Sequence, residues 1–285
     1  MSTDSLKACL LGSDRTGVLA QATKAARMIE WFARLGHGAK GMVYLLVGYR
    51  ALQGALRWMR PVGSSEALKA LHKQPLGDPL LLILAAGLAF FALWRAFQTF
   101  WDPDGVGKSW KGLLERAGFA LSGLFYGNLA AGALEMALEE VEPEDVHEQE
   151  QLAAFLLGQP LGQGLVALAG LTVIATGLGQ LYKAWSGKFL EPLHVGEMRP
   201  WERRLMVGLA YAGLSARGCV FLALGAFVIR AAWTLNPKEV ESVQEIFITL
   251  RRLPYGSALL AMVGIGFIAY GLFMGVEARY RRLNR

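Results

Sequence analysis

Residues 161–182 read LGQGLVALAGLTVIATGLGQLY, a run of 22 residues without a single charge. A second run of 22 residues, from Tyr255 to Val276, is equally free of charge. The hydrocarbon core of a bilayer is about 30 Å thick, and roughly 20 apolar helical residues cross it. Neither run keeps the polar stripe that a helix on the surface of a soluble protein presents to water. Both runs therefore predict transmembrane helices.

The composition of the whole chain is typical of a membrane protein. Of its 285 residues, 54% are hydrophobic and 18% are charged, whereas soluble domains average about 25% charged residues. We expect six transmembrane helices, at about residues 33–57, 78–100, 116–138, 161–183, 205–230 and 255–277. The fold class is then all-α, with a mobile cytoplasmic tail over residues 1–27 and a single membrane domain over residues 28–285.

The odd-numbered spans share one glycine pattern. Two glycines five residues apart are followed three residues later by an aromatic residue, at Gly36, Gly41 and Tyr44, at Gly118, Gly123 and Tyr126, and at Gly213, Gly218 and Phe221. Helices in lipid associate through close packing, and small residues let their backbones approach. We therefore interpret these glycines as packing positions.

The even-numbered spans begin with a second shared motif. Gln74-Pro75-Leu76-Gly77 recurs letter for letter at residues 159–162 and weakens to Leu-Pro-Tyr-Gly at residues 253–256. Fifteen residues beyond the motif glycine stands a small residue in each copy, Ala92, Gly177 or Gly271. The two patterns together predict three tandem two-helix repeats, at about residues 31–101, 111–185 and 203–280, with pseudo-threefold symmetry.

Each repeat also has a short apolar pattern between its two spans. The pattern is clearest at Val243, Ile246, Phe247 and Leu250, which follow helical spacing. Such a segment is either an interfacial helix lying along the membrane face or an ordinary loop helix that caps the bundle.

The basic residues are distributed unequally between the two sides of the predicted membrane domain. Segments on the side of the termini carry 18 Lys and Arg residues, and segments on the other side carry 8. Basic residues near span ends are retained in the cytoplasm, so both termini should be cytoplasmic. The connector from Glu135 to Glu150 holds eight carboxylates and no basic residue. We interpret it as a solvated outward loop, with weak cation binding as the alternative.

The repeated Gly-x4-Gly-x2-Tyr/Phe helix, followed by a helix that Pro-Leu-Gly introduces, resembles the bacterial membrane family called domain of unknown function 1206. The resemblance covers residues 31–280 and rests on motifs that shape helix packing. It implies a six-span protein of the bacterial inner membrane built from three repeats. It implies no activity, substrate, cofactor or catalytic residue. Ser122 departs from the pattern, because the other repeats have Lys40 and Arg217 at that position.

Charged residues inside the spans are the best indicators of function in a membrane protein. Twelve uncharged residues precede Arg217 and twelve follow it. If the repeats surround an axis, Arg217, Lys40 and Ser122 form a polar ring beside Tyr44 and Tyr126. Such a ring would attract an anionic solute or an anionic lipid headgroup. In the alternative interpretation, both cations lie shallower and their side chains reach the cytoplasmic interface.

Two further sets of equivalent positions combine an acid, a base and a glutamine. One set is Gln53, Glu135 and Arg230, and the other is Gln98, Lys183 and Glu277. Symmetry predicts the pairs Glu135–Arg230 and Lys183–Glu277. They would act as structural ties between repeats or, alternatively, as a gate network.

The sequence contains no signature of an enzyme, a metal site or a cofactor site, and no motif that calls for nucleic acid. We therefore expect a structural or accessory protein that packs with lipids, anionic lipid among them, and with other membrane proteins. The alternative is a transporter or channel for a small solute, with an anion as the favoured class. A tight, filled centre would favour the first function, and a water-filled centre touching Arg217 would favour the second.

Overall fold

The computed structural model describes residues 31, 34–56, 63–103, 105–138, 148–191, 193, 196, 198–240 and 242–280. Its regular elements are helices: α1 (residues 34–56), α2 (Ser64–His72), α3 (Gly77–Trp101), α4 (Trp110–Leu138), α5 (Glu148–Leu157), α6 (Gly162–Ser186), α7 (Pro200–Thr234), α8 (Val243–Arg252) and α9 (Gly256–Tyr280). The predicted tail and most of the acidic connector lie outside the described residues.

Five of the described helices are long and apolar enough to cross a membrane, namely α3, α4, α6, α7 and α9. Their outer surfaces carry large apolar side chains such as Ile83, Leu93 and Leu124, which are 65–72% exposed. Water would disfavour so many exposed leucines, whereas lipid accepts them. The all-helical fold is thereby confirmed for the described residues, and five apolar helices of this length indicate a multi-pass membrane protein.

The helices follow one order three times. A long helix, a short helix and a second long helix form α1–α3, then α4–α6 and then α7–α9. The short helices α2, α5 and α8 occupy the connectors where the sequence indicates apolar patterns. Phe247 of α8 is fully buried, whereas Leu152 and Phe155 of α5 are mostly exposed. The connector helices therefore differ in how closely they pack.

The Gln-Pro-Leu-Gly motif forms a tight turn that joins each short helix to the next long one. The Gly77 amide donates to the Gln74 carbonyl at 2.8 Å, and the same bond closes the turns at Gly162 and Gly256. Leu76, third in the turn, has a φ of +66°, which is the conformation of a type II turn with Pro second. A Cβ atom on Gly77 would collide with the carbonyl oxygens of Leu71 and His72 at the end of α2. The motif is thus a turn that requires its glycine.

Long helices of neighbouring repeats touch at matching small residues. A methyl group on Gly41 would lie 2.8 Å from the Gly271 carbonyl oxygen, and one on Gly177 would lie 2.9 Å from that of Gly218. At the corresponding place between α3 and α4, a methyl group on Gly123 would lie 3.5 Å from the Ala92 carbonyl oxygen. These are the small residues whose spacing recurs in the sequence, so they bring helix backbones together.

The structure shows a second layer of such contacts further along the same helices. A methyl group on Gly48 would lie 2.7 Å from the Gly264 carbonyl oxygen, and one on Gly225 would lie 2.8 Å from that of Gly170. Two layers of contact therefore hold α1 against α9, and α6 against α7, at a fixed relative depth.

Packing within a repeat differs between copies. A methyl group on Gly36 of α1 would lie 2.7 Å from the Phe91 backbone of α3, and one on Gly213 of α7 would lie 2.5 Å from the Cα of Tyr270 in α9. The equivalent Gly118 of α4 has no atom within 4 Å of that position. Helices α4 and α6, which are described throughout, do not make the contact that closes the other two repeats.

This difference predicts unequal effects of one substitution at equivalent sites. We expect Gly213→Ala to lower the free energy of unfolding by about 1–3 kcal/mol, because the added methyl group overlaps the Tyr270 backbone. The matched control Gly118→Ala should change it by less than about 0.5 kcal/mol, because its methyl group enters open space. Unfolding by denaturing detergent in mixed micelles measures both. Equal losses at the two positions would contradict the packing described here.

Candidate functional site: a buried cationic cluster

Arg217 lies near the middle of α7, and only 6% of its surface is exposed. Its Nε–H donates a hydrogen bond to the Tyr44 hydroxyl oxygen of α1 at 2.7 Å. Its guanidinium carbon lies 4.3 Å from the centroid of the Phe221 ring and 5.1 Å from that of Tyr270. A hydroxyl and the π faces of two rings thus surround the charge, and such faces attract cations.

Lys40 of α1 is more deeply buried, at 2% exposure. Its Nζ lies 4.8 Å from the ring centroid of Phe91, 5.2 Å from that of Tyr126 and 5.5 Å from that of Tyr270. The Tyr270 ring therefore lies close to both cations. We call Lys40, Tyr44, Phe91, Tyr126, Arg217 and Tyr270 the cationic cluster.

The hydroxyl groups of Tyr44 and Tyr126 connect helices from different repeats. They lie 3.3 Å apart and share one hydrogen bond. Tyr126 comes from α4, Tyr44 from α1 and Arg217 from α7, so each repeat contributes to this chain of bonds. The structure thus brings together four of the five residues of the predicted polar ring. The fifth, Ser122, is half-buried on α4 and adds no hydrogen bond to the cluster among the described residues.

Two aromatic members of the cluster do not stand out in the sequence. Phe91 and Tyr270 each lie fourteen residues after the motif glycine of an even-numbered span, and Thr176 holds that position in the second repeat. Because apolar spans contain many aromatic residues, only the alignment of the repeats distinguishes these two.

Arg95 is a third cation close to the cluster. Its guanidinium carbon lies 5.0 Å from the ring centroids of both Phe91 and Phe119. It donates to the Gln98 side-chain oxygen at 2.9 Å, and Gln98 is itself buried. Arg95 occupies the predicted end of the second span, where flanking charge is ordinary. Its side chain instead turns inward between α3 and α4.

Three of the four residues of the predicted charge pairs have other partners. Arg230 pairs with Glu239 at 2.7 Å, Lys183 with Glu115 at 4.0 Å, and Glu277 with His37 at 3.8 Å. Arg230 finds Glu239 within the short 3₁₀ turn that follows its own helix. Arg230 therefore pairs with a nearby acid in place of Glu135. Lys183 and Glu277, which were predicted to pair with each other, each pair with a different residue.

The cluster is positively charged. Among the residues that the structure describes, the buried side chains with a permanent charge are Lys40 and Arg217, and no buried side chain is a carboxylate. Glu277 approaches from the edge, through buried His37. The described ranges also contain no group of three His, Cys, Asp or Glu residues that would hold a metal ion. An anion is accordingly the ligand that this electrostatic environment favours.

Comparison with known proteins gives the same three units. Residues 35–102, 117–187 and 212–281 each match the family described as Domain of Unknown Function (DUF1206). The chain belongs to this family. It is also 29% identical over 256 residues to the "Uncharacterized protein YxxB" of Bacillus subtilis (strain 168), which covers 90% of this chain and 92% of that protein. No solved structure matches the chain.

Membership of DUF1206 confirms the three tandem repeats predicted from the glycine motifs. Each matched stretch covers most of one repeat, α1–α3, α4–α6 or α7–α9, with its two long helices and the short helix between them. The family description assigns no activity, so functional inference for this DUF1206 chain depends on the cationic cluster.

The Tyr44 hydroxyl should make a measurable contribution to stability. We expect Tyr44→Phe to cost about 1–3 kcal/mol, because it leaves the buried Arg217 Nε–H without its acceptor. The control is Tyr49→Phe on the same helix, where the lost hydroxyl accepts from Gln53 at an exposed position. We expect that loss to be below about 0.5 kcal/mol. Reversible unfolding in detergent micelles compares the two, and a Tyr44→Phe variant as stable as Tyr49→Phe would show that the buried bond contributes nothing.

Proposed function

We propose that this protein is a structural or accessory component of the bacterial inner membrane, which acts by packing against lipids and other membrane proteins. The observation that carries the proposal is the filled centre of the helix assembly. Phe91, Tyr126 and Tyr270 retain 0–3% exposure and occupy the place where a solute path would run. The proposal assigns the protein no reaction and no cofactor.

The proposal includes six spans arranged around a pseudo-threefold axis. Helix α1 would be the sixth span, although it carries Lys40 and Arg50, because it packs against α9 at two positions two turns apart, Gly41 and Gly48. The contacts Gly41–Gly271, Ala92–Gly123 and Gly177–Gly218 link each repeat to the next and support the cyclic arrangement. In lipid, a helix that packs along its length on a spanning neighbour is expected to span as well.

The proposed orientation places both termini in the cytoplasm. The basis is the excess of Lys and Arg on the side of the termini, 18 against 8. The acidic connector before α5 would then face outward.

Reporter fusions test both the span count and the orientation. We expect a fluorescent protein that matures only in the cytoplasm to be bright when fused after Arg285 or after Ser186. An alkaline phosphatase that needs the periplasm should be active when fused after Leu138. A dark fusion at Arg285 together with a bright one at Ser186 would refute an even number of spans after Ser186.

The closed centre can be tested by cysteine labelling. In a background with Cys9 and Cys219 replaced by Ser, Val47→Cys introduces a thiol on the buried face of α1. We expect a membrane-impermeant thiol reagent to label it at least a hundredfold more slowly than Ser186→Cys, which is exposed at the end of α6. Labelling of the two variants at similar rates would favour a water-filled path.

The second candidate function, transport of a small anion, is favoured by one observation. Buried Lys40 and Arg217 hold positive charge in the middle of the assembly, and permeation sites for anions use such residues. Proteoliposomes loaded with a chloride or phosphate gradient would distinguish the candidates. Uptake that the Arg217→Leu variant abolishes would replace the structural proposal, and equal flux with empty liposomes supports it.

A further inference from the structure

The second repeat lacks two large side chains that the other repeats place in the cationic cluster. Ser122 stands where Lys40 and Arg217 stand, and Thr176 stands where Phe91 and Tyr270 stand. Ser122 and Thr176 both have much smaller side chains than their counterparts in the other repeats. The same repeat is the one whose long helices α4 and α6 fail to close, with open space at Gly118. The missing volume and the missing contact therefore coincide.

The vacant position lies next to Arg217. Helices α6 and α7 touch at Gly177 and Gly218, where a methyl group on Gly177 would lie 2.9 Å from the Gly218 carbonyl oxygen. Thr176 and Arg217 are the residues immediately before these glycines. The two lie at one depth in the membrane on helices in direct contact.

Arg217 has unused hydrogen-bonding capacity at this position. A guanidinium carries five N–H donors, and only the Nε–H has an acceptor among the described residues, at Tyr44. The remaining N–H donors lie in the plane of the guanidinium. The rings of Phe221 and Tyr270 attract its positive charge. Four N–H donors of this guanidinium therefore remain available to a ligand.

The tyrosine pair also leaves one donor unused. Two hydroxyl groups carry two protons, but Tyr44 and Tyr126 share a single hydrogen bond. The Tyr44 oxygen already accepts from Arg217. One hydroxyl proton of the pair therefore remains available, and the nearby Lys40 adds positive charge.

We propose that the space between α4 and α6 beside Arg217 is a binding site for a phosphate group. Donors reach it from α7 and from the tyrosine pair on α1 and α4, and a tetrahedral oxyanion offers acceptors in several directions at once. The planar fork of an arginine matches two phosphate oxygens. Because α4 has open space at Gly118, the phosphate can belong to an anionic lipid that enters from the bilayer. A soluble phosphate is the other source of the same chemistry.

Ligand-dependent thermal unfolding in a neutral maltoside detergent tests this site. The probes are sodium phosphate, compared with sodium chloride at equal ionic strength, and phosphatidylglycerol in mixed micelles. A ligand that binds the folded state raises the unfolding midpoint, and at a given concentration it raises the midpoint more the more tightly it binds. Three variants accompany the parent protein: Arg217→Gln removes the fork, Thr176→Phe restores the ring found in the other repeats, and Arg252→Gln removes an exposed cation on α8.

We expect at least one probe to bind the parent and Arg252→Gln equally, and to bind Arg217→Gln and Thr176→Phe at least tenfold more weakly. A response to phosphatidylglycerol alone assigns a lipid phosphate, and a response to sodium phosphate assigns a soluble one. A midpoint that rises equally in all four proteins reflects exclusion of salt from the surface and overturns the site. No response in the parent overturns it as well. Binding is measured without a gradient, so this outcome is independent of the labelling and flux tests above.

Thr176→Phe provides a check that does not remove any charge. The new ring should occupy the open space beside Gly118, because Thr176 is the smaller counterpart of Phe91 and Tyr270. We expect this variant to unfold at a higher temperature than the parent when no phosphate is present, so its loss of binding cannot be ascribed to misfolding. A less stable Thr176→Phe variant that still binds would show that the site lies elsewhere.

Discussion

Backbone contact at paired small residues is the constraint on which the rest of this structure depends. In lipid, apolar side chains gain little by leaving one apolar neighbour for another, so helix association requires close packing. Gly41 against Gly271 and Gly218 against Gly177 supply that packing between repeats. Because a second layer at Gly48 and Gly264 repeats the contact, neighbouring helices cannot slide along one another. The depth of every side chain is then set relative to its neighbours.

This fixed depth is what assembles the cationic cluster. Lys40 and Arg217 occupy equivalent positions in α1 and α7, the first long helices of their repeats. Phe91 and Tyr270 occupy equivalent positions in α3 and α9, the second long helices. The contacts between glycines place both sets of residues in one layer. Tyr44 and Tyr126 lie in the same layer, on the next turn of α1 and α4. The burial of two cations is therefore a consequence of helix packing, and their aromatic surroundings offset part of the cost of burial.

The sequence contains enough to predict this layer but not its details. The glycine spacing identifies the contacts between repeats, because backbone approach depends on residue size alone. Ion pairs such as Arg230–Glu239 depend on where a long side chain ends and on loop residues that follow the helix. No repeat pattern contains that information, so symmetry gave the wrong partners for Arg230 and Lys183. Phe91 and Tyr270 do not stand out for a different reason, since an aromatic residue in an apolar span is ordinary and only the alignment of the repeats sets these two apart.

Divergence of the second repeat connects the helix packing to the proposed binding of an anion. In α4 and α6 the glycine of the closing contact remains as Gly118, yet its partner position holds Thr176, and Ser122 replaces the cation. A core built only for stability would use leucine in place of Arg217, because arginine at the centre of a span costs about 2.5–3.5 kcal/mol on insertion scales. Two buried cations lie beside the position where the second repeat lacks a large side chain. Helix packing alone does not explain why the protein bears the free-energy cost of burying them. A bound anion accounts for both features, because it neutralises the charge and occupies the space at the same point in the membrane.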